Sequence, residues 1–282
     1  MRRNVLARRG HFWTMKKRLA NCRTNLRVGG NKMFSLKDKV AIITGAGQGI
    51  GRAIALALAS QGAHIVIADI NAKSAGSVID EIRALGNQAI VVEGNVTNEA
   101  DVQKMVADTI AQFGKIDILV NNAGTVLTGP LTEIALGDWD KVMAINVKGV
   151  FLTCKSVIPY MIERRYGKIV NIASVAGKIG GGLMGNSCYA TSKGSVIALT
   201  KAIAKEMGPY NINCNAICPA FTDTPMTVNF PKDKREAIIR AIPLGRAGKP
   251  DDIASAACFL ASDGAAFITG EIMDVNGGLV LD

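Results

Sequence analysis

The sequence predicts an α/β fold: one domain built on a doubly wound parallel sheet of about seven strands, with helices on both faces. Three observations carry that prediction. From residue 35 onward, short runs rich in β-branched residues alternate with helical segments, and repeated βα units close as a parallel sheet through right-handed crossovers. A glycine-dense turn, V-A-I-I-T-G-A-G-Q-G-I-G from Val40 to Gly51, joins the first run to the first helix. An acid, Asp69, closes the second run 24 residues after Gly45.

The elements follow in order. Val40 to Thr44 is apolar throughout, as in a strand buried on both faces. Gly45, Gly47, Gly49 and Gly51 remove side chains where the backbone turns, and from Ile50 the segment R-A-I-A-L-A-L-A is built of good helix formers. His64 to Ala68 is a second strand, and Ala72 to Leu85 a helix stopped by Gly86. Ala89 to Glu93 is a third strand. A helix from Glu99 to Phe113 starts at Asn98 and stops at Gly114. Ile116 to Val120 is a fourth strand, Leu136 to Met161 one long helix, and Lys168 to Ile172 a fifth strand. Ser187 to Met207 is a helix and Ile212 to Ile217 a sixth strand; a helix near Asp251 to Ala261 and a strand near Glu271 to Val275 close the pattern. Between them, Pro219 to Leu244 holds Pro219, Pro225, Pro231 and Pro243 around a charged P-K-D-K-R-E cluster. An irregular segment of that length in a compact domain points to an active-site lid. No repeat of 20–50 residues recurs and no linker divides the chain after residue 35, so residues 35–282 form one domain.

The net charge of +10 suggests nucleic acid until it is located. Residues 1–34 carry ten Lys or Arg and no acid, which leaves 23 basic against 23 acidic residues in the rest. The domain is neutral, so no nucleic-acid partner is expected of it. Residues 1–34 read as a basic tail outside the fold, in one of two ways. An acid-free, Arg-rich segment has the composition of a mitochondrial presequence, which would place the protein in the matrix. Alternatively Met33 is the true start, because Met33-Phe-Ser-Leu-Lys leads straight into the first strand; this is the preferred reading, with a cytoplasmic location. The six cysteines show no paired spacing. Cys214 and Cys218 lie in a predicted strand with no nearby histidine, so they read as buried apolar residues, not metal ligands. No membrane partner is expected: the longest apolar candidate is broken by the glycine turn and Arg52.

The chemistry begins at the glycine turn. A strand, a turn without side chains and a helix N-terminus offer free N–H groups and a favourable dipole to a pyrophosphate. An acid at the position of Asp69 accepts hydrogen bonds from adenosine ribose hydroxyls and repels a 2′-phosphate. Neither Ile70 nor Gln48 supplies a cation for such a phosphate, so NAD is favoured over NADP. Tyr189 and Lys193, four apart at the start of a helix, share a face. A neighbouring ammonium lowers a phenol's pKa from its ordinary value of about 10 and makes it an acid/base group near neutrality. Ser174 follows the fifth strand at the carboxyl edge of the sheet, where open α/β folds bind ligands.

T-G-A-G-Q-G-I-G (Thr44 to Gly51), Asp69, N-N-A-G (Asn121 to Gly124), Asn146, Ser174 and Y-A-T-S-K (Tyr189 to Lys193) together resemble the classical short-chain dehydrogenase/reductase family over about residues 36–282. The resemblance implies a Rossmann-type, NAD-linked oxidoreductase with a catalytic set of Asn146, Ser174, Tyr189 and Lys193. Tyr189 would exchange a proton with the substrate oxygen, Ser174 would hydrogen-bond that oxygen, and Lys193 would bind the nicotinamide ribose and depress the tyrosine pKa, assisted by the positive charge of oxidised nicotinamide. Asn146 would hold a water between Lys193 and solvent. Cofactor contacts would come from Gly45, Gln48, Gly49, Ile50, Gly51, Asp69, Ile70, Asn95, Val96, Asn122, Ala123, Gly124, Tyr189, Lys193, Pro219 and Thr222. A homotetramer is implied, paired through the helices near 136–161 and 187–207.

Three positions depart from the family pattern. Asn95 stands where an aspartate binds the adenine amino group, and keeps a carbonyl acceptor for it. Ala220 replaces a glycine after Pro219. Ser174 and Tyr189 are 15 apart, about two more than the usual spacing, with Gly180, Gly181 and Gly182 between them. The first expectation for the reaction is NAD(H)-dependent interconversion of a secondary alcohol and a ketone on a polyol, sugar or small hydroxy compound. The alternative is a 3-oxoacyl-(acyl-carrier-protein) reductase, which G-V-F-L-T (Gly149 to Thr153), M-I-E-R-R (Met161 to Arg165) and P-L-G-R-A-G-K-P-D-D-I-A (Pro243 to Ala254) resemble. A dinucleotide-binding protein without turnover is the alternative of another class.

Overall fold

Seven strands form the central sheet of the computed structural model, which describes residues 34–181 and 185–281 and the backbone of 27–28 and 31–32. They are β1 (Val40–Thr44), β2 (His64–Asp69), β3 (Ala89–Glu93), β4 (Ile118–Asn121), β5 (Gly167–Ile172), β6 (Ile212–Pro219) and β7 (Ile272–Val275). Their spatial order is β3-β2-β1-β4-β5-β6-β7, and every neighbouring pair is parallel. The chain winds one way from β1 to β3 and the other way from β4 to β7. The connections leaving β1 and β4 therefore part, and a crevice opens at the carboxyl edge between them.

The helices are α1 (Gly49–Ser60), α2 (Ala72–Ala84), α3 (Glu99–Phe113), α4 (Leu136–Met143), α5 (Gly149–Arg164), α6 (Ala176–Ile179), α7 (Ser187–Met207), α8 (Lys232–Ala241) and α9 (Pro250–Ala261). Alternation along the strands sends successive side chains to opposite faces. Ala41 and Ile43 of β1 join Ile54, Leu58, Val78, Ile82, Ile253 and Leu260 in one core, under α1, α2 and α9. Ile42 joins Met105, Val157, Met161 and Val196 in the other, under α3, α5 and α7. Both faces are covered, which is why β1 reads as unbroken apolar sequence.

Element boundaries agree with the sequence expectation to within two or three residues, with four differences. β4 begins at Ile118, because Asp117 takes the Val40 N–H (2.9 Å) and ion pairs with Lys115 and Arg164 below the sheet. The expected single helix from Leu136 carries a π-helical turn, Ala144–Lys148, between α4 and α5. The segment Pro219 to Leu244 contains α8 after Pro231. The run Leu136–Arg164 is long and apolar enough by composition to cross a membrane, which the sequence expectation missed; here its buried side chains pack into the second core. The basic tail lies largely outside the described residues; Arg27–Val28 pairs antiparallel with Asn31–Lys32, and the packed fold begins at Phe34, edge-on to Phe259, and at buried Leu36.

Candidate active site

Thr44 ends β1 with its hydroxyl accepting the N–H groups of Asn122 and Ala123, both at 3.0 Å. Asn122 returns two bonds from its side-chain amide, to the carbonyls of Thr44 (3.0 Å) and Gly45 (2.9 Å). The glycine turn is thus sewn to the loop after β4. Gly51 sits underneath: a Cβ there would lie 2.3 Å from the Gly45 carbonyl oxygen and 2.5 Å from the Asn122 amide nitrogen. Its role is close packing of helix against turn, and it does not line the cavity above. Gly51, expected among the cofactor contacts, thus lies beneath the turn.

The cavity has a volume of about 860 Å³ and lies over the carboxyl edge of β1, β4, β5 and β6. Gly45, Gln48, Gly49 and Ile50 floor one end, where α1 opens with no side-chain cap on its first N–H groups. An uncapped helix N-terminus facing a cavity of this size fits a dinucleotide pyrophosphate. Asp69 and Ile70 line the same end, as do Asn95, Val96, Asn122, Ala123 and Gly124. Asp69 accepts the N–H of Gly47 (2.8 Å) and of Asn71 (2.9 Å), so its carboxylate is fixed by backbone. Asn95 differs from expectation. Its carbonyl oxygen already accepts the N–H (3.0 Å) and hydroxyl (2.9 Å) of Thr97, so the acceptor reserved for adenine is engaged within its own turn.

At the other end, Ser174, Tyr189 and Lys193 line the cavity together with Pro219 and Thr222. The Asn186 side chain caps α7 by accepting the Tyr189 N–H at 3.0 Å, which fixes where the phenol leaves the helix. The Ser174 hydroxyl hydrogen-bonds that phenol and accepts the Ala176 N–H at 3.1 Å. Lys193, one turn on, donates from Nζ to the Ile172 carbonyl (2.7 Å), with the ammonium 6.0 Å from the Tyr189 ring centre. Burial pulls the Lys193 pKa from 10.5 down to about 8. It pushes the Tyr189 pKa above 10, against the lowering effect of the Ser174 hydrogen bond. Burial is the largest influence on the phenol here; the depression expected of Lys193 was tied to an oxidised nicotinamide bound beside it.

Asn146 sits in the π-helical turn, fully buried and outside the cavity lining. Its amide clasps the backbone of Thr125, accepting its N–H (2.8 Å) and donating to its carbonyl (2.9 Å), and donates to Ser192 (3.0 Å). It shapes the wall next to Lys193 from behind. Sequence reasoning passed over the roles of Thr44 and Asn186, but it marked the Pro219 to Leu244 segment as a lid. Phe221, Thr224, Pro225, Met226 and Phe230 line the cavity from above, and the four prolines were the visible signal.

These parts suffice for carbonyl–alcohol chemistry beside a nicotinamide. A bound nicotinamide would supply the hydride; Tyr189 would hold the proton for the substrate oxygen, Ser174 would orient that oxygen, and Lys193 would meet the ribose.

Residues 45–280 match the family model described as enoyl-(acyl carrier protein) reductase. The 3-oxoacyl-[acyl-carrier-protein] reductase of Thermotoga maritima is 42% identical over 246 residues, 87% of this chain and 99% of the relative. The (2S)-[(R)-hydroxy(phenyl)methyl]succinyl-CoA dehydrogenase subunit BbsD of Thauera aromatica is 40% identical over 245 residues, 87% of this chain and 98% of the relative. A crystal structure from Beutenbergia cavernae, solved as a candidate NAD(P)-dependent gluconate 5-dehydrogenase with bound NADP at low occupancy, superposes with a TM-score of 0.83 at 34% identity, over 88% of this chain and 99% of that one. Strand order, glycine turn and the Ser174–Tyr189–Lys193 cluster agree with these likenesses: the chain is an oxidoreductase of the classical short-chain dehydrogenase/reductase family.

Proposed function

We propose that the protein interconverts a 3-oxoacyl thioester and its 3-hydroxyacyl counterpart, with NAD(H) as hydride carrier. The observation that carries the reaction is Ser174, Tyr189 and Lys193 lining one cavity with the uncapped glycine turn. The substrate class draws on the relatives. Two, at 42% and 40% identity, are named for acyl thioesters, whereas the sugar-acid neighbour is 34% identical. The thioester reading is therefore better supported than the polyol or sugar reading with which the sequence began. A silent dinucleotide binder has no physical need for a polar acid/base group held in place by Asn186 and Ser174.

NAD(H) is favoured by Asp69, whose carboxylate is locked at the adenosine end. The cations on the described lining, Lys193 and Lys234, belong to the nicotinamide end and the lid. NADP(H) is a second reading, favoured by the bound NADP of the Beutenbergia cavernae structure. Assembly as a homotetramer belongs to the same proposal: the α4–α5 face exposes Leu136 and Phe151, which pairing of that face would cover.

The test is a panel of 3-oxoacyl-CoA and 3-oxoacyl-N-acetylcysteamine thioesters against gluconate and polyols, each with NAD(H) and NADP(H). The expected outcome is thioester reduction with kcat/KM at least about tenfold above every polyol, and NADH preferred. Polyol oxidation outpacing thioester turnover removes the substrate reading, and equal use of both cofactors removes the Asp69 argument. Tyr189→Phe should lower kcat by about 10²–10⁴-fold while NADH still binds.

A further inference from the structure

We propose that an ion pair outside the catalytic set, Lys178 with Asp274, is the positioning device that holds Ser174 against Tyr189. Ser174 leaves β5 into a single helical turn, α6, whose first N–H is bonded to the Ser174 hydroxyl (3.1 Å). Lys178 is on that turn. Its Nζ lies 2.7 Å from Oδ2 of Asp274 on β7, 96 residues away in sequence. Both side chains are largely out of water, at 14% and 20% exposure, and Oδ1 of Asp274 is buried with no hydrogen-bond partner among the described residues. Stability is a poor reason to keep such a pair, since apolar residues of similar volume commonly serve a fold as well or better.

What surrounds the pair points to placement. Asp274 is in register with Cys218 on β6, and the Ser174 N–H reaches the Cys218 thiol. Gly177, between Ser174 and Lys178, seats the turn on α7: a Cβ there would lie 2.6 Å from the carbonyl carbon of Lys193. After α6 the chain enters Gly180 and Gly181, both in the left-handed region at φ 88° and 99°. A glycine connection transmits little restraint. In this longer-than-usual link between Ser174 and Tyr189, the ion pair is a side-chain anchor just ahead of the glycines.

The inference rests on Ser174 as the group that holds the substrate oxygen. A side chain displaced by about 1 Å costs up to about 10² in rate. The experiment compares wild type, S174A, K178M, K178R and S174A/K178M with a 3-oxoacyl-N-acetylcysteamine thioester, and measures NADH binding by fluorescence. K178M should lower kcat about 10–100-fold with NADH affinity unchanged, K178R should recover most of it, and in the S174A background K178M should add less than about twofold. A second readout needs no turnover. Tyr189 ionisation, taken as the absorbance difference between each variant and its Tyr189→Phe partner, should move upward in K178M as the Ser174 hydrogen bond weakens. Should K178M fail to fold, D274N serves in its place. Effects of K178M and S174A that multiply, or an unmoved Tyr189 titration, overturn the positioning role alone. Wild-type kcat in S174A overturns the reading of Ser174 and the proposal with it.

Discussion

Burial pulls the Lys193 ammonium down to about 8 and lifts the Tyr189 phenol above 10, and the two shifts have different consequences. Tyr189 stays protonated at neutral pH, as the proposed acid in ketone reduction requires. For Lys193 the folded pKa lies below the unfolded one. Between about pH 8 and 10.5 the unfolded chain holds a proton that the folded chain has released. Stability therefore rises with pH through that window, and below about pH 8 the buried charge carries its full penalty. That penalty is at most about 3 kcal/mol, reduced by the bond to Ile172. Lys193→Met should abolish turnover yet raise the thermal midpoint by several degrees at pH 7, and the gain should shrink by pH 10; calorimetry at the two pH values checks both. That Ser174, Tyr189 and Lys193 belong to one site was legible as residue types at fixed spacing. The direction of the tyrosine shift was not, because spacing puts Lys193 beside Tyr189 but says nothing of how little water reaches either.

The lid shows what sequence conveys at the scale of an element. Four prolines marked Pro219 to Leu244 as irregular, and that reading hid α8. The helix follows Pro231, and Ile238 within it and Ile242 just past its end pack onto Phe221, Ala220 and Ala247. That apolar pair was the missed signal. The cluster is separate from the two cores on the sheet, with Phe221 edge-on to Phe230 at 5.5 Å. Phe221→Ala should loosen this unit by about 3 kcal/mol without unfolding the sheet. Amides of α8 should exchange about 10²-fold faster, those of β1 and β4 should keep their protection, and KM should rise more than kcat falls. Uniform loss of protection would show that the lid is not an independent unit. The π-helical turn at Asn146 had no signal at all. Its residues A-I-N-V-K continue an acceptable helix, and only tertiary packing inserts the extra residue.

For the whole molecule, alternation of apolar runs with helical segments was enough to predict a parallel sheet covered on both faces. Strand order was not in the residues. It follows from which face each crossover helix takes, a choice that local sequence does not record. The charge asymmetry was legible, and its limit can be placed: Leu36 is buried and its N–H bonds the Gln61 carbonyl at 2.9 Å. Removing residues 1–33 should leave the thermal midpoint within about 1 °C and kcat unchanged. Removing residues 1–37 should cost about 2–4 kcal/mol, read in urea unfolding, because a buried leucine and its backbone bond go with it.

Asp69 gives the fold one more property. The carboxylate proposed to turn away a 2′-phosphate also accepts the Gly47 N–H, so under that proposal cofactor discrimination and loop architecture share a single side chain. On that reading, selectivity would not drift by simple loss of charge. Asp69→Ala should weaken both cofactors together, whereas Asp69→Asn, which retains one acceptor for the turn, should move the ratio of kcat/KM toward NADPH by about tenfold or more. A lineage exchanging one nicotinamide for the other would have to pass through a side chain that is neutral yet still able to receive a backbone proton, a narrower door than the surface position of the residue suggests.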